Sequence, residues 1–129
     1  MSATEAFSIT GGVLIMVVGG ARDQQAGRCG YEAFKAHLDR AGTRRVLMDT
    51  RLASHTGEPE WLMDRAREYG AATPPCRVAI LARALDGEFA RVYRRALVGT
   101  GHDAQVFTSV AEAEAWLSNE SEADRLYLA

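Results

Sequence analysis

A chain of 129 residues, 47% hydrophobic and 25% charged, fits one globular domain with a real core and excludes disorder for its bulk. A formal net charge of −2 offers no concentrated basic face for phosphate, so nucleic acid is not an expected partner. The longest apolar run, 13–18, is too short to span a bilayer and lacks a secretion signal's charged start and cleavage site, so the expected setting is cytoplasmic.

Residues 7–10, the pair Gly11-Gly12 and the apolar run 13–18 read as a hairpin, because two glycines can take positive φ at both turn positions. The second run is apolar on both faces, which predicts a central strand covered from both sides. Residues 19–27 are polar and Gly-rich and read as a loop. A helix over 28–41 follows, with Tyr31, Phe34, Leu38 and Ala41 on one stripe and Gly42 as its stop. Val46-Leu47-Met48 reads as a short buried strand ending at Asp49.

Residues 50–57 (TRLASHTG) read as a loop entering a second helix, with Pro59 in the first turn and Leu62, Ala66 and Tyr69 inward. After Pro74-Pro75, residues 78–81 form the next strand. Asp86 is expected to cap a third helix carrying Phe89, Val92, Tyr93, Ala96 and Leu97, stopped by Gly99 and Gly101. The last strand is 105–107. Ser109 and Glu112 make a capping box for the last helix, with Val110, Ala113, Trp116 and Leu117 inward.

The order β-β-α-β-α-β-α-β-α predicts an α/β fold: a mixed sheet of about five strands with an N-terminal β-hairpin, helices packed on it, and ligand loops gathered along one edge. A single domain spans 1–118. The segment 119–129 is an acidic tail carrying Leu126-Tyr127-Leu128, expected to dock on its own body or on a neighbour.

Sharper chemistries find little support. No GxxxxGK[ST] loop is present, and Lys35, the sole lysine, lies in the first helix, where a phospho-receiver could not use it. The arginines are spread over several elements and read as solvated faces and surface ion pairs. Cys29 and Cys76 have no zinc-ligand spacing; buried free thiols are the expectation, and a disulfide stays open at this level. No metal is expected at His37, His55 or His102, which lack ligand partners at suitable spacing. His55 is the best placed for chemistry, beside Ser54 and Thr56, yet a surface histidine is the plainer expectation. No catalytic set and no cofactor are expected.

The opening hairpin, RRVLMD at 44–49, DGEFARVYRRAL at 86–97 and QVFTSVAEAEAWL at 105–117 together resemble the STAS-like superfamily, in its SpoIIAA-like branch of anti-sigma-factor-antagonist fold. The resemblance covers roughly residues 6–118. It implies that the functional edge is the stretch after the third strand, where antagonists carry a phosphorylatable Ser in an Asp-Ser-Ser-Gly pattern. That pattern is absent here. Asp49 falls at the strand end, and Thr56-Gly57 is the nearest match to the Ser-Gly step. The implied role is a non-enzymatic regulatory or protein-interaction module, bacterial in character, presenting the 50–62 loop and helix edge to a protein partner, with a homodimer as one arrangement. The residues of that edge are Asp49, Ser54, His55, Thr56, Gly57 and Trp61, with Thr56 and Ser54 as candidate phosphoacceptors. A hydroxyl at a helix N-terminus sits where free N–H groups favour an anion, but the plainer expectation is that Ser54 or Thr56 is simply the N-cap. Trp61 would either pack on the sheet edge or stand exposed as an anchor. The alternative role is a small-ligand sensor, its strand-end loops 19–27, 50–57 and 83–87 enclosing a lipid, nucleotide or other anion.

Overall fold

In the computed structural model, residues 3–55 and 58–119 are described. Their order is β1 (Thr4–Thr10), β2 (Val13–Arg22), α1 (Gln24–Ala41), β3 (Arg45–His55), α2 (Pro59–Ala72), β4 (Arg77–Leu81), α3 (Glu88–Gly99), β5 (Asp103–Phe107) and α4 (Val110–Ser118). The strands form one sheet in the order β1-β2-β3-β4-β5. The first pair is antiparallel and the others are parallel, so this is the mixed α/β sheet with a leading hairpin that the sequence predicts. Gly11 and Gly12 have φ of 58° and 76°, which only glycine adopts cheaply at both turn positions.

Side chains alternate between the two faces of the sheet. Leu14, Met16 and Val18 of β2 join Val46, Val78, Ile80 and Ala104 in one core, closed by Phe34 and Leu38 of α1 and by Leu97 of α3. Each fully buried side chain of this size contributes about 1.5–3 kcal/mol. Helix α2 packs against α3, and Tyr31 of α1 stacks on Tyr69 of α2. On the opposite face, Leu47, Ala79 and Leu81 meet Ala113 and Leu117 of α4, with Val13, Ile15 and Phe107 at the margin.

Two arginines fasten α4. Arg77 donates through Nε and Nη2 to the Trp116 carbonyl at 3.2 and 2.9 Å, and its guanidinium lies 3.7 Å from the Trp116 ring centre. Arg45 donates to the Leu117 carbonyl at 2.7 Å. Cations at a helix C-terminus satisfy its last carbonyls and oppose its dipole. At the sheet margin, the Asp103 N–H bonds the Cys76 carbonyl and the Phe107 carbonyl accepts from Ala82, so Ala104 directs its backbone groups to the free edge. Arg94 of α3 donates to the Ala104 carbonyl at 3.0 Å.

Several expectations are corrected. The supposed loops 19–27 and 50–57 are largely regular structure: β2 runs to Arg22, α1 begins at Gln24, and β3 runs through His55. The reason is mutual. After a register shift between Val17 and Gly19, the two stretches pair with each other from Gly19↔Leu52 to Arg22↔His55. Asp23 caps α1 by accepting from the Ala26 N–H at 2.9 Å. Asp86 does not cap α3, because the helix starts later and Gly87 is the N-cap. Gly99 belongs to α3, and Thr100 is its C-cap. Ser109 does cap α4, but Val110 faces solvent rather than the core. Both cysteines are free; Cys76 is buried and Cys29 is exposed, so the buried-thiol expectation fails for Cys29. Residues 120–129, and with them the docking expected of the tail, lie outside the described residues.

Candidate functional site

Past Asp49, β4 gives β3 no further partner, and β2 and β3 continue together as a parallel ribbon, residues 19–22 beside 52–55, which β1 reaches only at Gly19. Successive residues of such a ribbon point to opposite faces. Arg22 and His55 look toward the helices, whereas Leu52 lies with Gly19 and Thr4 on the other side.

Arg22 is buried, contrary to the surface role expected of the arginines. It donates to Glu5 Oε1 and the Ala26 carbonyl, both at 3.2 Å, and to the Thr4 carbonyl at 3.4 Å. A buried cation persists only when paired and hydrogen-bonded, and these bonds tie β1, β2 and the start of α1 together. His55 is likewise not a surface histidine. Its ring stacks on Phe89, and burial, together with the Arg22 and Arg83 charges, pushes its pKa down to about 4. It is therefore neutral near pH 7.

Between α1, α2, α3 and this ribbon lies a cavity of about 100 Å³. Its walls are mainly aromatic, with Tyr31, Phe34, Trp61, Tyr69, Phe89 and Tyr93 contributing, and Arg22, Asp23, His55 and Arg65 supply polar groups. A smaller void of about 20 Å³ shares Tyr31, Phe34, Tyr69 and Tyr93 with it. Enclosure pushes the Tyr93 hydroxyl up to about 12, with Tyr31 and Tyr69 adding to the effect. Arg65 pairs with Glu68 at 2.8 Å through Nη1, while its buried Nε has no partner among the described residues.

The sequence-derived edge residues separate in space. Asp49 is not followed by a loop; it accepts from Arg51 N–H, Nε and Nη2 at 3.1, 3.0 and 2.9 Å. Burial raises its pKa, but the Arg51 bonds and charge outweigh that and leave the carboxyl below its usual range. Ser54 is exposed within β3 and is not the N-cap of α2, a position held by Glu58 without a side-chain bond. Because Ser54 and His55 are consecutive in a strand, they face opposite ways and cannot form a proton relay. Thr56 and Gly57 lie outside the described residues. Trp61 is half-buried and lines the cavity, so it is not a free-standing anchor.

Sequence reasoning missed Arg22, Arg65 and the cavity itself. Its signals were available only in part: Tyr31, Tyr69, Phe89 and Tyr93 were each read as inner stripe residues, and the cavity is the place where those stripes fail to close. Among the described residues no cluster of three or more His, Cys, Asp or Glu could hold a metal, and no helix is long and apolar enough to cross a membrane.

No family model matches the chain, and no curated protein matches it. Among solved structures it is similar to an anti-sigma factor antagonist from Mycobacterium paratuberculosis, with a TM-score of 0.67 at 16% identity over 92% of this chain and 96% of that one. The hairpin, the alternating β and α elements and the closing strand–helix unit thus assemble into a fold similar to that of this anti-sigma factor antagonist.

Proposed function

We propose that the protein is a non-enzymatic regulatory module of the cytoplasm that binds a protein partner through the ribbon end of β3 and the start of α2, residues 50–62. The observation that carries this reading is Leu52, 70% exposed on β3 beyond the end of its pairing with β4 and flanked by exposed Arg51 and Ser54. An exposed apolar side chain on an open strand edge offers a partner both apolar contact and unpaired backbone groups. The likeness in fold to an anti-sigma factor antagonist supports the same role. Ser54 or Thr56 would then be the hydroxyl through which phosphate alters docking, by adding about −2 charge to that stretch of the chain.

The test is affinity capture from native lysate with the wild-type chain, Leu52→Asp and Thr56→Glu. The reading expects a partner held by the wild type and lost with Leu52→Asp. An identical set of bound proteins for the wild type and Leu52→Asp overturns it, and an unchanged set for Thr56→Glu removes phosphate control at that residue.

A second reading is favoured by the cavity. An aromatic chamber of about 100 Å³, whose arginines Arg22 and Arg65 are already paired with Glu5 and Glu68 and whose wall also holds Asp23 and a neutral histidine, suits a small, mainly apolar molecule. Octanoate is a direct probe. It should raise the melting temperature of the wild type and not of Trp61→Ala; no shift in the wild type removes this ligand class.

A further inference from the structure

Helix α3 carries two stripes. Ala90, Ala96 and Leu97 are buried, whereas Arg91, Arg94, Arg95 and Val98, which recur at helical spacing, are exposed. The exposed stripe faces the rim strand β5 across an open groove of about 520 Å³, with Val106 in its wall and Leu85 at the end where the helix begins. Among the described residues no acid lines this groove. Its cations are also largely unspent. Arg91 and Arg95 have no ionic or hydrogen-bonding partner among the described residues, and Arg94 gives only Nε to the Ala104 carbonyl. Leu85 and Val98, at opposite ends of the arginine row, are 61% and 48% exposed. The rim beside the row is half closed. Asp103 and Phe107 bond toward β4, so Ala104 and Val106 turn their backbone groups outward. Arg94 takes the Ala104 acceptor, which leaves Val106 with an outward N–H and carbonyl.

We propose that this groove docks an extended acidic segment of a partner protein, its carboxylates on Arg91, Arg94 and Arg95 and its apolar side chains against Leu85 and Val98. Charge selects the occupant. Guanidinium groups clustered without an acid among them attract an anion, and their planar forks fit carboxylates. A short segment suits the groove better than a larger polyanion. The chain as a whole carries −2, so a membrane surface or a nucleic acid meets repulsion that a segment confined to the groove avoids. Leu85 and Val98 add contacts that a phosphate backbone would not use. The length is also modest: the 12 residues of α3 rise roughly 18 Å, which about six extended residues match at about 3.3 Å each. With the Ala104 acceptor closed, a neutral strand gains little at this rim, so the carboxylates are what hold the segment. The groove shares no residue with the 50–62 edge, and this inference therefore goes beyond the proposed function without resting on it.

The test is fluorescence anisotropy of the full chain with a fluorescein-labelled peptide of alternating Glu and Leu, about six residues long to match the groove. The wild type should bind it saturably. Arg91→Gln combined with Arg95→Gln should weaken binding about tenfold, the effect of losing two exposed ion pairs. Lys35→Gln combined with Arg40→Gln removes the same charge from exposed sites on α1 and should change binding less than about twofold. Arg91→Glu alone, a single exposed change, guards against a double variant that does not fold and should weaken binding too. Absence of saturable binding, a stronger hold on the matching Lys-Leu peptide, or equal losses in the two double variants overturns the inference. So does sedimentation of the wild type with phosphatidylglycerol vesicles that the Arg91→Gln, Arg95→Gln variant loses, which would assign the groove to a membrane. A wild-type dimer that the same variant dissociates would assign it to a second copy, and overturns it equally.

Discussion

Gly30 of α1 lies against Arg22 of β2 so closely that a Cβ at position 30 would stand 2.7 Å from Arg22 Nη2 and 2.9 Å from Glu5 Oε1. The buried ion pair crosses the helix at the one residue that leaves room for it. Gly30→Ala should therefore destabilise the fold by about 1–2 kcal/mol, even though alanine is the better helix former by about 1 kcal/mol. Denaturant unfolding measures this. Glu5→Gln in the Gly30→Ala background should add less than it does in the wild type, because the pair is already displaced.

His102 is buried between two backbone groups. Its Nδ1 accepts from the Cys76 N–H at 3.0 Å, and its Nε2 lies 2.7 Å from the Gly70 carbonyl, to which it donates. His102→Ala leaves a buried donor and a buried acceptor unmet, with a cavity between them. The expected loss is about 3 kcal/mol by chemical denaturation.

His55 makes stability depend on acid. Its folded pKa is lowered to about 4 from the ordinary histidine value of 6.5. The unfolded chain therefore takes up the proton first as pH falls. The contribution of His55 is complete above about pH 6.5 and is lost progressively toward pH 4. For a half-buried group the loss, after solvent screening, is about 1–2 kcal/mol. His55→Phe, which retains a ring against Phe89, should flatten this part of the pH profile relative to the wild type.

The two thiols should react unequally. Burial pushes Cys76 up to about 11, and its Sγ bonds the Pro74 carbonyl at 3.1 Å, whereas Cys29 is exposed on α1. Iodoacetamide at pH 8 should modify Cys29 in the native chain and Cys76 only after unfolding.

Arg77 should stabilise through the end of α4 rather than through its surface ion pair with Asp103. Arg77→Met keeps the stem but loses the bonds to the Trp116 carbonyl and the stacking on its ring, at a cost of about 1–2 kcal/mol. Asp103→Asn should cost less than about 1 kcal/mol, since Asp103 is half-exposed. Equal losses for the two variants would assign the effect to the ion pair.

The architecture was legible wherever one segment carries its own pattern. Gly11-Gly12 announces its turn, Val78 to Leu81 is apolar without a break, and Phe89, Tyr93 and Leu97 repeat at helical spacing. The ribbon was not legible, because residues 19–22 (GGAR) and 50–55 (TRLASH) have no strand pattern of their own. They become strands by pairing with each other across more than thirty residues. The cavity was hidden for a related reason: it is bounded by stripes from three helices, each of which looks like ordinary core when read alone. Burial of Arg22 likewise depends on Glu5 and Gly30, which no local window joins to it.

The bond from Arg94 to the Ala104 carbonyl bears on how the molecule behaves in crowded solution. Strand β5 is the rim of the sheet, and an open rim invites another chain to add a strand and seed aggregates. By occupying the Ala104 acceptor with a charged side chain from the overlying helix, the protein blunts that rim without needing a bulge or a proline. A surface redesign of α3 that removed Arg94 would reopen that acceptor on the rim, so this position is one to keep.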